Sequence, residues 1–200
     1  LPHTIQTRLI CMPFFQSKIC LKTLCLLSAL TSLTVGADEI MLDNFELNPE
    51  QRWRYVSDQV MGGISNGQVV YRKEGDVSYA HMTGIVSTEN NGGFIQLRTG
   101  VVKGVAEKSA GVILRVRGEP QKYYVHLRTR GTVLPWQFYQ ASFDIDKQWQ
   151  TIKVPFSAFK GSSKWLKSAV NSGSIRSIGV VAFGRDHIAD IQIAAIGFYN

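Results

Sequence analysis

Gly63-Ile64-Ser65-Asn66-Gly67 has the G-x-S-x-G spacing with which serine hydrolases expose a nucleophile on a sharp strand-to-helix turn. The flanks contradict that chemistry. A polar stretch precedes Ser65, the following GQVVYR reads as a strand, and beyond the leader the only candidate bases are His81, His126 and His187. Arg185-Asp186-His187 with Asp190 could offer oxygen and nitrogen ligands, but no second histidine or cysteine at ligand spacing completes a transition-metal site. We assign no metal and no cofactor; Asp58 and Asp43 are the carboxylates that, with backbone carbonyls, would suit calcium. Met61-Gly62-Gly63 and Asn91-Gly92-Gly93 invite comparison with phosphate-cradling loops. Neither opens a helix or carries the P-loop lysine, so these glycines serve positive φ or close backbone approach, as do Asn90 and Asn91.

The remaining chemistry is arginine mixed with aromatic residues, and strands must position it. Nine segments read as short strands punctuated by turns: 67–72, 78–86, 93–98, 110–117, 122–130, 136–143, 149–155, 175–182 and 188–199. Such spacing implies an antiparallel sandwich or barrel. One short helix is expected over Ser163 to Asn171, with Trp165, Leu166, Ala169 and Val170 on one side. Alternation separates the faces. Val112, Leu114 and Val116 oppose Ile113, Arg115 and Arg117; Tyr123, Val125 and Leu127 oppose Tyr124, His126, Arg128 and Arg130; Ile95 and Leu97 oppose Phe94, Gln96 and Arg98. If these strands are neighbours, Gln96, Arg98, Arg115, Arg117, Tyr124, His126 and Arg128 form one surface suited to carboxylates, sugars or a protein partner. Its alternative is an ordinary solvated sheet face. Trp53, Trp149, Phe156 and Phe159 read as apolar anchors, with Trp149 in the core, whereas Trp136, beside Pro135, is the aromatic best suited to a binding site.

Three basic residues (Arg8, Lys18, Lys22), no acid, an apolar run from Leu24 to Val35 and the small residues Gly36-Ala37 lay out a secretory signal peptide over 1–37, cleaved after Ala37, with Met12 as an alternative start. A mitochondrial transit peptide, less favoured, would be arginine-rich and amphipathic. The expected location is periplasmic or extracellular. Residues 38–200 then form a single domain without linker or repeat, large enough to bury roughly 70% of its unfolded surface. Cys11, Cys20 and Cys25 all leave with the leader. So do three positive charges of the net +7, and the remaining basic residues are scattered, unlike the stripe of a nucleic-acid binder.

Taken in order, Trp53, SDQVMGGIS (Ser57, Asp58, Met61, Gly62, Gly63, Ser65), ENNGGFIQLR (Asn90, Asn91, Gly92, Gly93, Phe94), GVILRVRG, YYVHLRT, Trp136, Tyr139 and WQTIKVPFSAF resemble the complex I intermediate-associated protein 30 (CIA30) family from about Met41 to Tyr199. The resemblance implies an all-β, galactose-binding-domain-like β-sandwich akin to a jelly roll. It also implies a non-enzymatic assembly factor or chaperone for respiratory complex I in mitochondrial members, with no catalytic residues to carry over. The secretory leader departs from that setting. The expectation is a binding protein acting outside the cytoplasm on a protein partner, such as a membrane or envelope complex; the alternative is a carbohydrate-binding module with Trp136 and Tyr124 stacking on a sugar. The two glycine loops can also be structural corners that touch no ligand.

Overall fold

Alternating apolar residues with glycine and Asn/Asp punctuation form extended pairs whose inner faces must be covered, and two sheets do this for each other. The computed structural model describes residues 39–200. The leader, its cleavage site and the three cysteines lie outside the described residues. Twelve strands follow in order: β1 (Glu39–Asp43), β2 (Arg54–Ser57), β3 (Asn66–Glu74), β4 (Val77–Val86), β5 (Phe94–Gly100), β6 (Gly111–Gly118), β7 (Lys122–Thr129), β8 (Tyr139–Asp144), β9 (Gln150–Pro155), β10 (Lys160–Gly161), β11 (Ile175–Phe183) and β12 (His187–Tyr199). The first sheet runs β3-β4-β12-β6-β9, with β1 also on β12; the second runs β10-β8-β7-β11-β5-β2. Every pairing is antiparallel. This is a β-sandwich of the expected class.

The nine sequence-derived strands all exist, and their alternation has the right phase: Val112, Leu114, Val116, Tyr123, Val125, Leu127, Ile95 and Leu97 are completely buried. Opposed across the sandwich, these residues join Met82, Ile178, Val180, Ile191, Ile193, Ile196 and Phe198 in one core. Burying each large side chain stabilises by about 1.5–3 kcal/mol. In β12 the inward residues switch from odd to even numbers, because a bulge between Ile193 and Ala195 inserts one residue against β6. That shift keeps Ile196 and Phe198 inside and lets β1 pair along Ile196 to Tyr199, beyond the end of β4.

The helix expected over Ser163 to Asn171 is absent; that segment is turns, and among the described residues only short 3₁₀ turns occur. Nine residues are too few to hold a helix without a packed face. Leu166 and Val170 touch the core, while Trp165 is 90% exposed. Trp149 also departs from expectation. It lies half-buried on the outer side of the first sheet, edge-on to Tyr79 at 5.8 Å. Trp53, by contrast, is a core residue, and its indole Nε1 donates to Asp43 at 2.8 Å.

A second polar tie crosses the layers. The Tyr123 hydroxyl, from the second sheet, accepts from the Asp190 amide in β12 and from Gln121 Nε2, both at 2.8 Å. Burial pushes this phenol up to about 12. Tyr123→Phe keeps the ring's packing but orphans a backbone donor, and should cost about 1–3 kcal/mol in urea unfolding. An unchanged midpoint would show that the tie between the sheets contributes nothing.

Candidate functional site

The two glycine-rich strings meet at one carboxylate. Asp58 opens a short 3₁₀ turn (Asp58–Met61) after β2 and is fully buried. Its Oδ1 accepts from the Ser65 amide at 2.9 Å; its Oδ2 accepts from Ser65 Oγ at 2.5 Å and from the amides of Gly93 at 2.5 Å and Phe94 at 3.2 Å. Burial alone would raise its pKa, but the Gly93 amide, the Ser65 hydroxyl and the remaining amides outweigh it and hold the group below the ordinary carboxylate range. A Cβ at Gly63 or Gly92 would overlap the Asp58 carboxyl, which is why glycine stands at both positions. Asn90 and Asn91 take the left-handed conformation, as their type suggests.

This arrangement disposes of the hydrolase spacing. Ser65 Oγ is buried, donates to Asp58 and accepts from the Ser87 amide at 3.0 Å, and leads into β3 rather than a helix. It also consumes Asp58 as a calcium ligand, and Asp43 is equally engaged by the Phe45 amide, Arg52 and Trp53. The Arg185 to Asp190 segment disperses likewise. Asp186 accepts from the Thr88 amide and hydroxyl, His187 faces the Arg185 carbonyl, and Asp190 pairs with His81. No cluster of three metal-ligating side chains occurs among the described residues.

The basic and aromatic surface expected from alternation is divided between the two sheets. Arg115 and Arg117 lie on β6, in the first sheet, where Arg117 sits 4.5 Å from the Trp149 ring centroid, donates to Gln192 Oε1 at 2.7 Å and ion-pairs with Glu74. Arg115 approaches the same indole at 5.6 Å. These two arginines are therefore separated from the rest of the predicted surface. Period two reports which face a residue takes, but not which sheet its strand joins.

Gln96, Arg98, Tyr124, His126 and Arg128 do share a face, the outer side of the second sheet. There Val181 of β11 stands opposite both Gln96 and Tyr124, and Gly179 opposite both Arg98 and His126. The row continues outward to Arg54 on β2 and to Gln140 on β8. The β7–β8 connection folds back over part of this face. Phe138 stacks on His126 at 4.1 Å and 13°, and Phe183 meets the same imidazole edge-on at 5.2 Å. Arg128 donates to the Leu134 carbonyl at 2.8 Å and Arg176 to the Thr132 carbonyl at 2.7 Å, pinning that connection. Trp136 lies on it, 62% exposed, beside the segment carrying Trp165, to which Ser162 Oγ ties it by donating to the Trp136 carbonyl at 2.9 Å. Phe138, Phe183, Arg54 and Arg176 were not singled out by sequence, and Trp165 was named only for a helix face; the pairing of β2 and β11 with β5 is what brings the arginines there.

A family model for complex I intermediate-associated protein 30 (CIA30) matches residues 44–192, a span that includes the Asp58 junction and both glycine strings. The chain belongs to the CIA30 family. No curated protein matches significantly. Among solved structures, this CIA30 chain is similar to the family 11 carbohydrate-binding module from Clostridium thermocellum in complex with a β-1,3-1,4-mixed-linked tetrasaccharide, at 16% identity and TM-score 0.67, over 82% of this chain and 96% of that one. A second structure, the family 11 module of cellulosomal cellulase Lic26A-Cel5E of the same organism, gives 16% identity and TM-score 0.65 over 82% and 95%. These likenesses show that the CIA30 domain shares their sandwich fold.

Asp58→Asn keeps the shape but sets amide hydrogens against donors, and should destabilise by about 2–4 kcal/mol, more than Ser65→Ala, in denaturant titrations. A loss no larger than that of Ser65→Ala would remove the charge from its central place. His126 supplies a pH test. Burial pushes its imidazole down to about 3, against the opposing effect of Gln140. The unfolded chain takes up the proton near 6.5 and the fold does not, so stability should fall as pH drops from about 6.5 towards 3. Unfolding titrations of wild type and His126→Phe at neutral and mildly acidic pH should show the wild type losing more; parallel losses would mean that His126 stays accessible to protons.

Proposed function

We propose that this chain is a non-catalytic binding domain that works outside the cytoplasm as an assembly factor or chaperone, holding a protein partner of a membrane or envelope complex on the outer face of the second sheet. The observation that carries the reading is the contrast between the two outer faces. On the first sheet Arg117, His81 and Lys153 are each paired with a carboxylate within the domain, and Arg115, which has none, lies against the Trp149 ring at 5.6 Å. On the second, Arg54, Arg98, Arg128 and Arg176 meet no carboxylate among the described residues, and Gln96 and Tyr124 make no side-chain hydrogen bond there. Membership of a family named for complex I intermediates supports the assembly role. The secretory layout of residues 1–37 supports the location. The non-catalytic part is supported by the burial of Ser65 and the dispersal of the histidines.

A second reading is carbohydrate binding on the same face. The family 11 module solved with a tetrasaccharide has this fold, and Trp136 and Tyr124 offer aromatic planes at the rim and middle of the face.

Capture from the native envelope fraction with the processed protein, compared with a Gln96→Ala/Tyr124→Ala variant, tests the first reading. Gln96 makes no side-chain hydrogen bond, whereas the Tyr124 ring meets Phe183 edge-on at 5.7 Å, so the variant should lose about 1 kcal/mol and its melting is measured beside the capture. Defined membrane-complex subunits should be enriched by the wild type and lost with the variant; equal capture by a folded variant would sink the placement. A glycan array runs beside it. A saturable hit that disappears on Trp136→Ala, without a captured protein, would move the assignment to sugar.

A further inference from the structure

At one end of the second sheet's outer face, a cleft of about 310 Å³ is lined by Arg52, Arg54, Arg98, Arg128 and Arg176 over a floor of Thr99, Gly100 and Ser177. Arg52 is neutralised by Asp43 at 2.7 Å. The other four meet no carboxylate among the described residues. Their placement is unfavourable for the fold by itself. Arg54 and Arg98 stand directly opposite one another on β2 and β5, a cross-strand position where like charges destabilise. Arg128 and Arg176 converge from β7 and β11 on the same connection, Nη2 of each facing the Thr132 carbonyl, while Arg128 Nε is buried without a partner. Burial, then the charges of Arg176 and Arg98, push the Arg128 guanidinium below its ordinary value. A cluster that repels itself and leaves a buried donor unpaired is one from which a counter-charge is missing.

We infer that this cleft receives an acidic peptide segment of the protein partner, at least two carboxylates of which engage the Arg54, Arg98, Arg128 and Arg176 guanidiniums. The inference rests on the protein-binding reading of the face and deepens it. Four guanidiniums arrive from four strands around some 310 Å³, and carboxylates spaced along one chain can each meet a separate fork across that spread, whereas a single small oxyanion fills only part of it. The floor of Gly100 and Ser177, directly opposed on β5 and β11, leaves room for a chain to lie across it.

The test is calorimetric titration of the processed protein with a tetraglutamate peptide, its tetraglutamine analogue, inorganic phosphate and polygalacturonate, with thermal melting in parallel. Saturable binding of tetraglutamate is expected, weakening with salt, absent for tetraglutamine and reduced about tenfold or more in an Arg54→Gln/Arg98→Gln variant. That variant should melt no lower than wild type, since it removes a repulsion, and should lose the tetraglutamate-dependent rise in melting temperature. Absent or variant-insensitive tetraglutamate binding overturns the inference. Phosphate binding as tightly replaces the peptide with a simple anion, and polygalacturonate alone binding replaces it with an acidic glycan; either also overturns it. Partner capture by the two double variants separates the two claims. Capture lost only with Gln96→Ala/Tyr124→Ala overturns the cleft and leaves the face. Partner capture unaffected by either variant removes the broader assembly reading and, with it, the cleft as a seat for the partner, even where tetraglutamate binds.

Discussion

One buried negative charge organises this end of the sandwich. Withdrawing the Asp58 carboxylate from water is costly, and the structure offsets the cost with three backbone amides and one hydroxyl, all donors, converging from two loops far apart in sequence. The pairing works only if both loops come within reach, so Gly63 and Gly92 lack side chains where the carboxyl lies. It also works only for an anion, because every group facing it brings a hydrogen. Since the Phe94 amide is both one of these donors and the first residue of β5, the charge sets where β5 begins. The positions of Gln96 and Arg98 on the outer face follow from that start.

The same junction explains why the most distinctive strings of the sequence are uninformative about chemistry when read alone. Glycine-rich runs with a serine and an aspartate have the composition of catalytic elbows and phosphate loops, yet here each string is the other's ligand. What was legible was local. Alternation in β5, β6 and β7 placed inward and outward residues correctly because the pleat enforces it along each strand. What was not legible was relational. Nothing in GVILRVRG or KYYVHLRT says that consecutive strands joined by a short connection enter different sheets, so Arg115 and Arg117 were grouped with Arg128 although they belong to the opposite side. The short β2 and the first residues of β11 show no strong alternation, which hid Arg54 and Arg176. The Ser163 to Asn171 helix failed for a different reason: a suitable stripe of apolar residues is not a packed face.

The two outer faces differ in how their charges are met. On the first sheet, Trp149, Arg117, Tyr79, Glu74 and Gln192 form a closed patch in which cation, ring and carboxylate satisfy one another. On the second, the β7–β8 connection covers His126 with Phe138 and leaves arginines on one side and exposed tryptophan on the other. The protein thus shares an architecture with carbohydrate-binding modules and presents a strongly cationic cleft at one end of its second sheet's outer face. Fold and charge are separable properties of the same scaffold.

β12 carries a consequence for how the chain reaches this structure. It is the thirteen-residue strand at the middle of the first sheet, flanked by β4 and β1 on one side and β6 on the other, and it is the last of the twelve in chain order. Hairpins such as β3–β4 can form as soon as their residues exist, but β1, β4 and β6 have no common partner until His187 to Tyr199 is available. Folding of this sheet is therefore deferred to the end of the strand sequence and dominated by distant contacts, a topology that reaches its native state slowly. Until then β1, β4 and β6 each keep an edge that β12 will occupy unpaired, and the inward face of this sheet is incomplete and open to any protein that handles unfolded polypeptide.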